Sequence, residues 1–434
     1  MKLFTKTFGC QMNFADSDEM GRHFRRLGFS QTDNEEGADA ILINTCTVRD
    51  LAEHKAVSYI GRLKEWKCQK SNRFVIVTGC AAERTKGDLI KRFPQIDLVV
   101  GATDIDHFPQ AIESLFREKL AQYPLDADER ALVPNENQTG SSALGFVTIM
   151  RGCNYSCSYC IVPSVRGREV YLPRERILAD VQERVAEGAK EIWLLGQTVN
   201  SYRPNGGQSE YDFSDLLRDV AKVSGVRRLR FMSPHPFFIN NKLVETMAST
   251  PQVCEHIHLP AQSGSNEVLK RMKRNYTRES YLANVKVLRK AIPGIAISTD
   301  LIVGFPGETD EDFQRTLSLV EEADFASAYC FKYSSRPGTE SSYWEDDIPE
   351  LVKEERVNRL LALTDTAGTR KAAAMVGESM EVLIENDKGN QLFRGRTRTG
   401  WRVRIQHPGL RVGDTVIAQI IGHHSRELHG QLYP

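Results

Sequence analysis

The sequence predicts an α/β chain in three parts: an N-terminal doubly wound parallel sheet, a central (β/α)6 partial barrel, and a small C-terminal antiparallel β-barrel. Three observations carry this. Short apolar runs alternate with amphipathic stretches from Lys2 to about Arg117, and do so again from Gly145 to Phe331. Beyond Ala374 the pattern changes to short alternating strands separated by turn residues. The length of 434 residues suits about three domains at roughly 150 residues each. A composition that is 41% hydrophobic and 26% charged is that of a soluble globular chain and excludes a disordered, collagenous or membrane protein.

In the first part the runs KLFTKTFG, AILINT, FVIVTG and IDLVVGA each lead into a helix-like stretch, ending near Leu27, Trp66, Phe93 and Phe116. Parallel sheets of this kind bind ligands at the carboxyl ends of their strands. Cys10, Cys46 and Cys80 stand where the first three runs stop, so three successive loops place three thiols on one rim. Residues 118–142 lack periodicity, carry Pro, Asn, Gly and Ser, and read as a linker.

The second part offers six strand-like runs: GFVTIM, EIWLLG, RRLRFM, HIHLPA, AISTDLIVGF and ASAYCF. Helix-like stretches follow them, among them Arg174 to Ala189 and Arg278 to Ala291. Six units fall two short of the eight that close a barrel, which leaves a lateral gap for a large substrate. A charged helix-like stretch, Glu350 to Ala374, precedes MEVLIE, QLFRGRTR, WRVRIQ, DTVIAQIIG and ELHGQLY, a five-stranded barrel of OB-like type. The expected domains are 1–117, 143–370 and 371–434, with the linker at 118–142.

Lys plus Arg equals Asp plus Glu at 57 each, yet the balance hides a polarised end. Residues 391–434 hold seven Arg against Asp414 and Glu427, a surplus of +5. Arg394, Arg396 and Arg398 alternate in one strand and Arg402 and Arg404 in the next, so their guanidinium groups share a face. That face is either solvated charge or an RNA-binding surface with Phe393 and Trp401 as stacking platforms.

No apolar run approaches the roughly 18 residues of a membrane span, and MKLFTKTFGC is no secretory signal. The expected location is the cytoplasm, where thiols stay reduced and the nine cysteines read as ligands or catalysts before disulfides. The segment RGCNYSCSYC sets Cys153, Cys157 and Cys160 in a Cys-x3-Cys-x2-Cys loop after the first strand of the partial barrel. Three thiolates hold three irons of a [4Fe–4S] cluster and leave the fourth open to a ligand. Structural zinc, the competing reading, wants four protein ligands, and no His or Cys within twenty residues completes such a set. Spacing alone leaves Cys10, Cys46 and Cys80 divided between scattered core cysteines and a site. Cys68, Cys254 and Cys330 have no partner at ligand spacing and read as structural, as do His235, His256 and His258.

The Cys-x3-Cys-x2-Cys loop resembles the signature of the radical S-adenosylmethionine (SAM) superfamily. GCQMN, INTCTVR, VTGCAAE, RGCNYSCSYCIVPSVRGRE, LLGQTVNSY, SPHP, HLPAQSGS, STDLIVGFPGETDEDF and YSSRPGT narrow the match. With the C-terminal barrel, which looks like a TRAM domain, the chain resembles the radical SAM methylthiotransferases from end to end, and among them the MiaB branch. GCQMN, GQTVNSY, SPHP and HLPAQSGS point to that branch. Thr198 departs from it, standing where Asn is expected.

The resemblance implies an enzyme that adds a methylthio group to C2 of N6-isopentenyladenosine at position 37 of tRNA, using SAM both as methyl donor and as radical source. It implies a second [4Fe–4S] cluster on Cys10, Cys46 and Cys80, whose free iron holds the sulfur to be methylated. It places Tyr159, Gly196, Gln197, Ser263, Asp300, Ile302 and Gly304 at SAM, and Asn13, Arg49, Arg166 and Arg168 at substrate or anions. Arg394, Arg396, Arg398, Arg402 and Arg404 become tRNA contacts. The implied partners are a tRNA anticodon stem-loop and a reductant such as flavodoxin or ferredoxin, acting on a monomer with no membrane. Two alternatives stay open: a methylthiotransferase for threonylcarbamoyl-adenosine tRNA or a ribosomal-protein aspartate, and a non-catalytic iron–sulfur RNA-binding protein.

Overall fold

The computed structural model describes residues 1–47, 50–70, 72–122, 143–204 and 210–432, in two compact units. The first unit comprises Met1–Gly140, Arg151–Asn154 and Ile161–Glu169; the second comprises Ser141–Met150, Tyr155–Cys160 and Val170–Pro434.

In the first unit β1 (Lys2–Thr7), β2 (Ser30–Gln31), β3 (Ala40–Thr45), β4 (Phe74–Gly79) and β5 (Leu98–Gly101) form a parallel sheet in the order β2-β1-β3-β4-β5. Its helices are α1 (Gln11–Arg26), α2 (Asp50–Cys68), α3 (Cys80–Arg92) and α4 (Phe108–Gln122). Strands β3 and β4 are buried throughout because helices cover both faces. Ala40, Leu42, Phe74 and Ile76 pack with Phe24, Phe108, Ile112 and Phe116 of α1 and α4. The alternate residues Ile41, Ile43, Val75 and Val77 pack with Tyr59, Ile60 and Leu63 of α2 and Leu89 of α3. The doubly wound reading therefore holds. Strand β2 was not foreseen, since two polar residues give no apolar run, and α4 continues through Gln122 into the stretch expected as linker. The strand order reverses between β1 and β3, the place where such sheets open a crevice at their carboxyl ends.

The second unit holds six parallel strands: β6 (Leu144–Thr148), β9 (Glu191–Leu195), β10 (Arg228–Phe231), β11 (His256–His258), β12 (Ala296–Val303) and β13 (Ser327–Lys332). They pair as β10-β9-β6 and β11-β12-β13, with a parallel bridge from Leu229 to Val253 beside the junction. Two short strands, β7 (Met150–Arg151) and β8 (Val170–Tyr171), lie outside these sheets. Val147, Ile192, Leu194, Leu229, Phe231, Ile257, Ile297, Leu301 and Val303 join the helical core. Their neighbours in sequence, including Glu191, Trp193, Arg230, His258, Asp300 and Tyr329, consequently face the lumen. The helices are α5 (Val162–Arg166, in the first unit), α6 (Arg174–Ala186), α7 (Phe213–Ala221), α8 (Asn241–Ser249), α9 (Asn266–Arg271), α10 (Arg278–Ala291), α11 (Asp310–Ala323) and α12 (Glu350–Ala374).

After α12, strands β14 (Ser379–Asp387), β15 (Leu392–Thr397), β16 (Arg402–Gln406), β17 (Thr415–His424) and β18 (Glu427–Gln431) close a barrel in the order β14-β15-β16-β18-β17. One of its pairings, β16 with β18, is parallel; the other four are antiparallel. Phe393 and Trp401 point inward and pack with Val382, Val403 and Ile405, which removes them as stacking platforms.

Candidate functional site

In the first unit Cys10 caps α1, Cys46 follows β3, and Cys80 begins α3, so the three thiols gather at the carboxyl end of the sheet. The backbone bends sharply to do this. Gly9 has φ +129°, and a Cβ there would lie 2.6 Å from Cys46 Cβ. Gly79 has φ +98°, and its Cβ would lie 2.2 Å from the Thr45 carbonyl oxygen. Only glycine serves at either place.

Asn13 is fully buried and ties the first two loops together. Its Nδ2 donates to Asn44 Oδ1 at 2.7 Å and to the Thr45 carbonyl at 2.9 Å, while Cys10 Sγ donates to Asn13 Oδ1 at 3.2 Å. Its work is to hold the loops, since both ends of its amide are spent within the protein. Arg166, on α5, donates Nε to Cys80 Sγ at 3.2 Å and Nη2 to Asp16 Oδ2 at 2.8 Å. Arg151 braces the same carboxylate at 2.6 Å and also bonds Glu19 at 2.6 Å. Burial pushes the Cys80 thiol up to about 11, against the pull of Arg166; Cys46 and Cys10 lie near enough to push it further. A metal held there would have to displace the thiol proton. Arg166 Nη1 is buried with no hydrogen-bond partner. A buried guanidinium N–H beside three thiols suits an anionic group held among them.

Of the Cys-x3-Cys-x2-Cys loop, Cys153 belongs to the first unit, where its N–H bonds the Gly167 carbonyl at 3.1 Å. Gly152 has φ +77°, and a Cβ there would lie 2.1 Å from the Arg168 carbonyl oxygen. Cys157 and Cys160 belong to the second unit and are joined in a tight turn by a Cys160 N–H to Cys157 O bond of 3.0 Å. Ser158 pins that turn, its Oγ donating to the Arg271 carbonyl at 2.8 Å. Arg274 donates Nη1 to Cys157 Sγ at 3.2 Å and Nε to the Tyr276 hydroxyl at 3.1 Å. Among the described residues no three His, Cys, Asp or Glu side chains close around a point as they do around one metal ion.

The residues expected at SAM all lie in the second unit. Tyr159 packs edge-on to Phe305 at 6.3 Å between ring centres. Gly196 follows β9, and a Cβ there would meet Met150 at 2.4 Å. Gln197 has a buried Oε1 with no partner, an acceptor in want of a donor. Asp300, on the lumen face of β12, lies 3.3 Å from His258 Nε2, and Ile302 lies two residues further along the same face. Ser263 is buried, and its Oγ accepts the Ser265 N–H at 3.2 Å, so its hydroxyl shapes its own loop. Gly304, φ +69°, approaches Lys353 where a Cβ would lie 2.4 Å away, and its N–H bonds Glu308 at 2.6 Å. Thr198 is buried. Arg168 is exposed. Arg49 lies outside the described residues.

Ser298 Oγ lies 3.2 Å from His256 Nε2 and 3.0 Å from His258 Nδ1. His235 stacks on Tyr155 at 4.9 Å and accepts the Phe237 N–H at 3.2 Å. Cys254 is buried, Cys330 is half-buried and Cys68 is exposed.

The C-terminal arginines do share the outer face of their strands, but they are not bare charge. Arg394 and Arg404, opposite one another in register, form ion pairs with Glu427 at 3.0 and 2.7 Å. Arg396 bonds Glu385 at 2.7 Å and Arg398 bonds Glu255 at 2.8 Å. Arg402 is exposed and makes no ion pair among the described residues. The sequence reading missed Arg274 and Asp16; their segments carry no ligand-like spacing, and only the fold brings them to the cysteines.

Residues 147–320 match the Radical SAM superfamily, and residues 2–101 match a family described as Uncharacterized protein family UPF0004. A solved methyltransferase of Kitasatospora setae, TsrM, described as a radical S-adenosylmethionine enzyme, superposes with a TM-score of 0.57 over 79% of this chain and 77% of its own. At 13% identity that likeness shows the fold alone. A tRNA-2-methylthio-N6-dimethylallyladenosine synthase of Clostridium novyi is 41% identical over 99% of this chain and 96% of its own length. Another so described, from Clostridium botulinum, is 40% identical over 99% of this chain and 96% of its own length, and at that likeness the chain belongs to the tRNA-2-methylthio-N6-dimethylallyladenosine synthase family of radical SAM methylthiotransferases.

Proposed function

We propose that this methylthiotransferase holds one [4Fe–4S] cluster on Cys153, Cys157 and Cys160 and a second on Cys10, Cys46 and Cys80, and methylthiolates C2 of N6-isopentenyladenosine at position 37 of tRNA. The observation that carries the second site is the placement of three thiols at three successive strand ends, one of which, Cys80, is bonded by a buried guanidinium whose Nη1 has no partner in the protein. When bound, the first cluster with SAM supplies a 5′-deoxyadenosyl radical and the second supplies the sulfur to be methylated and transferred.

The chain's own residues bind and orient. Gln197 offers its unpartnered Oε1 to the SAM ammonium, and Tyr159, backed by Phe305, offers a flat apolar surface to the adenine. Asp300 and Ile302 present a carboxylate and an apolar contact from the lumen, while Gly196, Ser263 and Gly304 let the loops that carry the cofactor contacts approach closely. Asn13 fixes the Cys10 and Cys46 loops of the second cluster, and Arg166 neutralises charge beside Cys80. Arg168, exposed, and Arg49 are assigned to the tRNA backbone.

The target base has to leave the anticodon-loop stack, which costs less in a single-stranded loop than in a duplex. The domain division assigned is 1–117 for the second cluster, 118–142 as linker, 143–370 for radical chemistry and 371–434 as a TRAM-type RNA-binding barrel. The enzyme acts as a cytoplasmic monomer reduced by a flavodoxin- or ferredoxin-like donor; among the described residues no helix is long and apolar enough to cross a membrane.

The test is nucleoside analysis after incubating the reconstituted enzyme with SAM, reductant and tRNA bearing N6-isopentenyladenosine. The expected product is its 2-methylthio derivative, with 5′-deoxyadenosine formed alongside. Product only on threonylcarbamoyl-adenosine tRNA or on a ribosomal-protein aspartate would move the chain to another substrate; no 5′-deoxyadenosine at all would make it a binding protein.

A further inference from the structure

Each cysteine triad has a thiol that accepts a hydrogen bond from an arginine remote in sequence. Arg166 Nε reaches Cys80 Sγ across 86 positions and Arg274 Nη1 reaches Cys157 Sγ across 117, both at 3.2 Å. We propose that Arg166 and Arg274 are matched donors that set the reduction potentials of the groups held by the two triads, one arginine to each. The inference rests on the ligand assignment made above.

Both side chains are held for this task. Arg166 is 3% exposed and its fork is fixed by Asp16, which Arg151 braces from its other oxygen. Arg274 is fixed by the Tyr276 hydroxyl and lies over the Tyr276 ring at 5.0 Å; that hydroxyl in turn donates to the Ala261 carbonyl at 2.9 Å. A guanidinium stays charged at any working pH, and its rigid fork donates without losing direction. Burying one is costly unless it meets negative charge. Arg166 leaves Nη1 without a partner in the protein, so part of its interaction is reserved for what the thiols hold.

A positive donor on a thiolate sulfur stabilises the more negative, reduced state of an iron–sulfur group and so raises its potential. The effect is local, since Arg166 donates to Cys80 of one triad and Arg274 to Cys157 of the other.

The test uses full-length reconstituted enzyme in two backgrounds, one with Cys153, Cys157 and Cys160 replaced by Ala and one with Cys10, Cys46 and Cys80 replaced by Ala, so that each cluster is read alone. Midpoint potentials are taken from redox titrations followed by electron paramagnetic resonance. Arg166→Met is expected to lower the midpoint of the cluster on Cys10, Cys46 and Cys80 and leave the other where it was; Arg274→Met is expected to do the reverse. Arg166→Lys and Arg274→Lys keep the charge but not the fork, and smaller shifts in the same direction are expected. Unchanged midpoints in variants that keep their iron would overturn the proposal, as would an equal shift of both clusters by either arginine. Where a Met variant loses its iron, the Lys variant decides, an unshifted midpoint counting against. A parent background with no four-iron signal refutes the ligand assignment instead, so the two failures are distinguishable.

Discussion

Glu191 and Arg230 form an ion pair in the partial barrel, 2.9 Å from Oε1 to Nε, with side chains 0% and 1% exposed. The same oxygen accepts the Trp193 indole N–H at 2.7 Å, and Arg230 Nη2 reaches the Thr397 carbonyl of the C-terminal barrel at 2.7 Å. Alongside, Arg228 donates to Glu381 of that barrel at 2.7 Å and to the Arg396 carbonyl at 2.8 Å. Two buried arginines thereby clamp the small barrel to the partial barrel. Glu191→Gln keeps the shape but strands the Arg230 charge, and breaking a buried pair from one side costs about 3–5 kcal/mol. Urea unfolding should show a lower midpoint by that measure, with Trp193 fluorescence as the local probe; a loss under about 1 kcal/mol would mean the pair is dispensable.

His235 gives the stability a pH dependence whose sign follows from its burial. Desolvation, with help from Arg274, lowers its pKa from 6.5 to about 3. The unfolded state therefore takes up a proton below about pH 6.5 that the folded state refuses. The stabilisation from this site is fully present above that value and is lost progressively as pH falls toward 3. Between pH 7 and 5.5 the loss from one such group is about 1 kcal/mol. His235→Asn keeps an acceptor for the Phe237 N–H and removes the titration. The wild type should lose about that much more than the variant over this range, and equal losses would refute the assignment.

The two triads should separate in iron content and in chemistry. Anaerobic wild-type enzyme is expected to hold on the order of eight irons per chain, and replacement of Cys153, Cys157 and Cys160 by Ala to leave about half. With Cys10, Cys46 and Cys80 replaced, 5′-deoxyadenosine should still form while methylthiolated nucleoside does not. Zinc in place of iron, or normal methylthiolated product from the second variant, would defeat the division.

What the sequence disclosed was mostly local. Cys10, Cys46 and Cys80 were legible as a group because a strand that is buried on both faces reads as an unbroken apolar run, and its end is visible. That His256 and His258 share one face of their strand follows from simple alternation. Edge strand β2, with only Ser30 and Gln31, has no such pattern. Arg274 and Cys157 are brought together by the path of the chain, which no spacing rule encodes. The arginine-rich strands misled for the same reason: Glu385, Glu427 and Glu255, which pair with them, lie 11 to 143 positions away. Phe393 and Trp401 misled because an aromatic in a small barrel serves the core as readily as a surface.

Under the proposal that the C-terminal barrel binds tRNA, these ion pairs divide its arginines into two groups. Arg396 and Arg398 are spent on Glu385 and Glu255, and Arg398 also donates to the Val253 carbonyl at 2.9 Å, so they join the barrel to its neighbour. Arg402 is exposed, and Arg394 and Arg404 share a single carboxylate between two charges. These three leave net positive charge for phosphates, each contact displacing counterions and steepening the salt dependence by roughly 0.7–0.9 units. Arg394→Gln, Arg402→Gln and Arg404→Gln together should weaken tRNA binding and flatten the plot of log affinity against log salt by about two units, with 5′-deoxyadenosine formation without tRNA unchanged. Arg396→Gln and Arg398→Gln together should instead lower the urea midpoint and alter the salt slope little. Binding titrations at four or more salt concentrations on both variants decide it: a slope that falls equally in the two, or in neither, would mean that the barrel's outer face does not sort its arginines in this way.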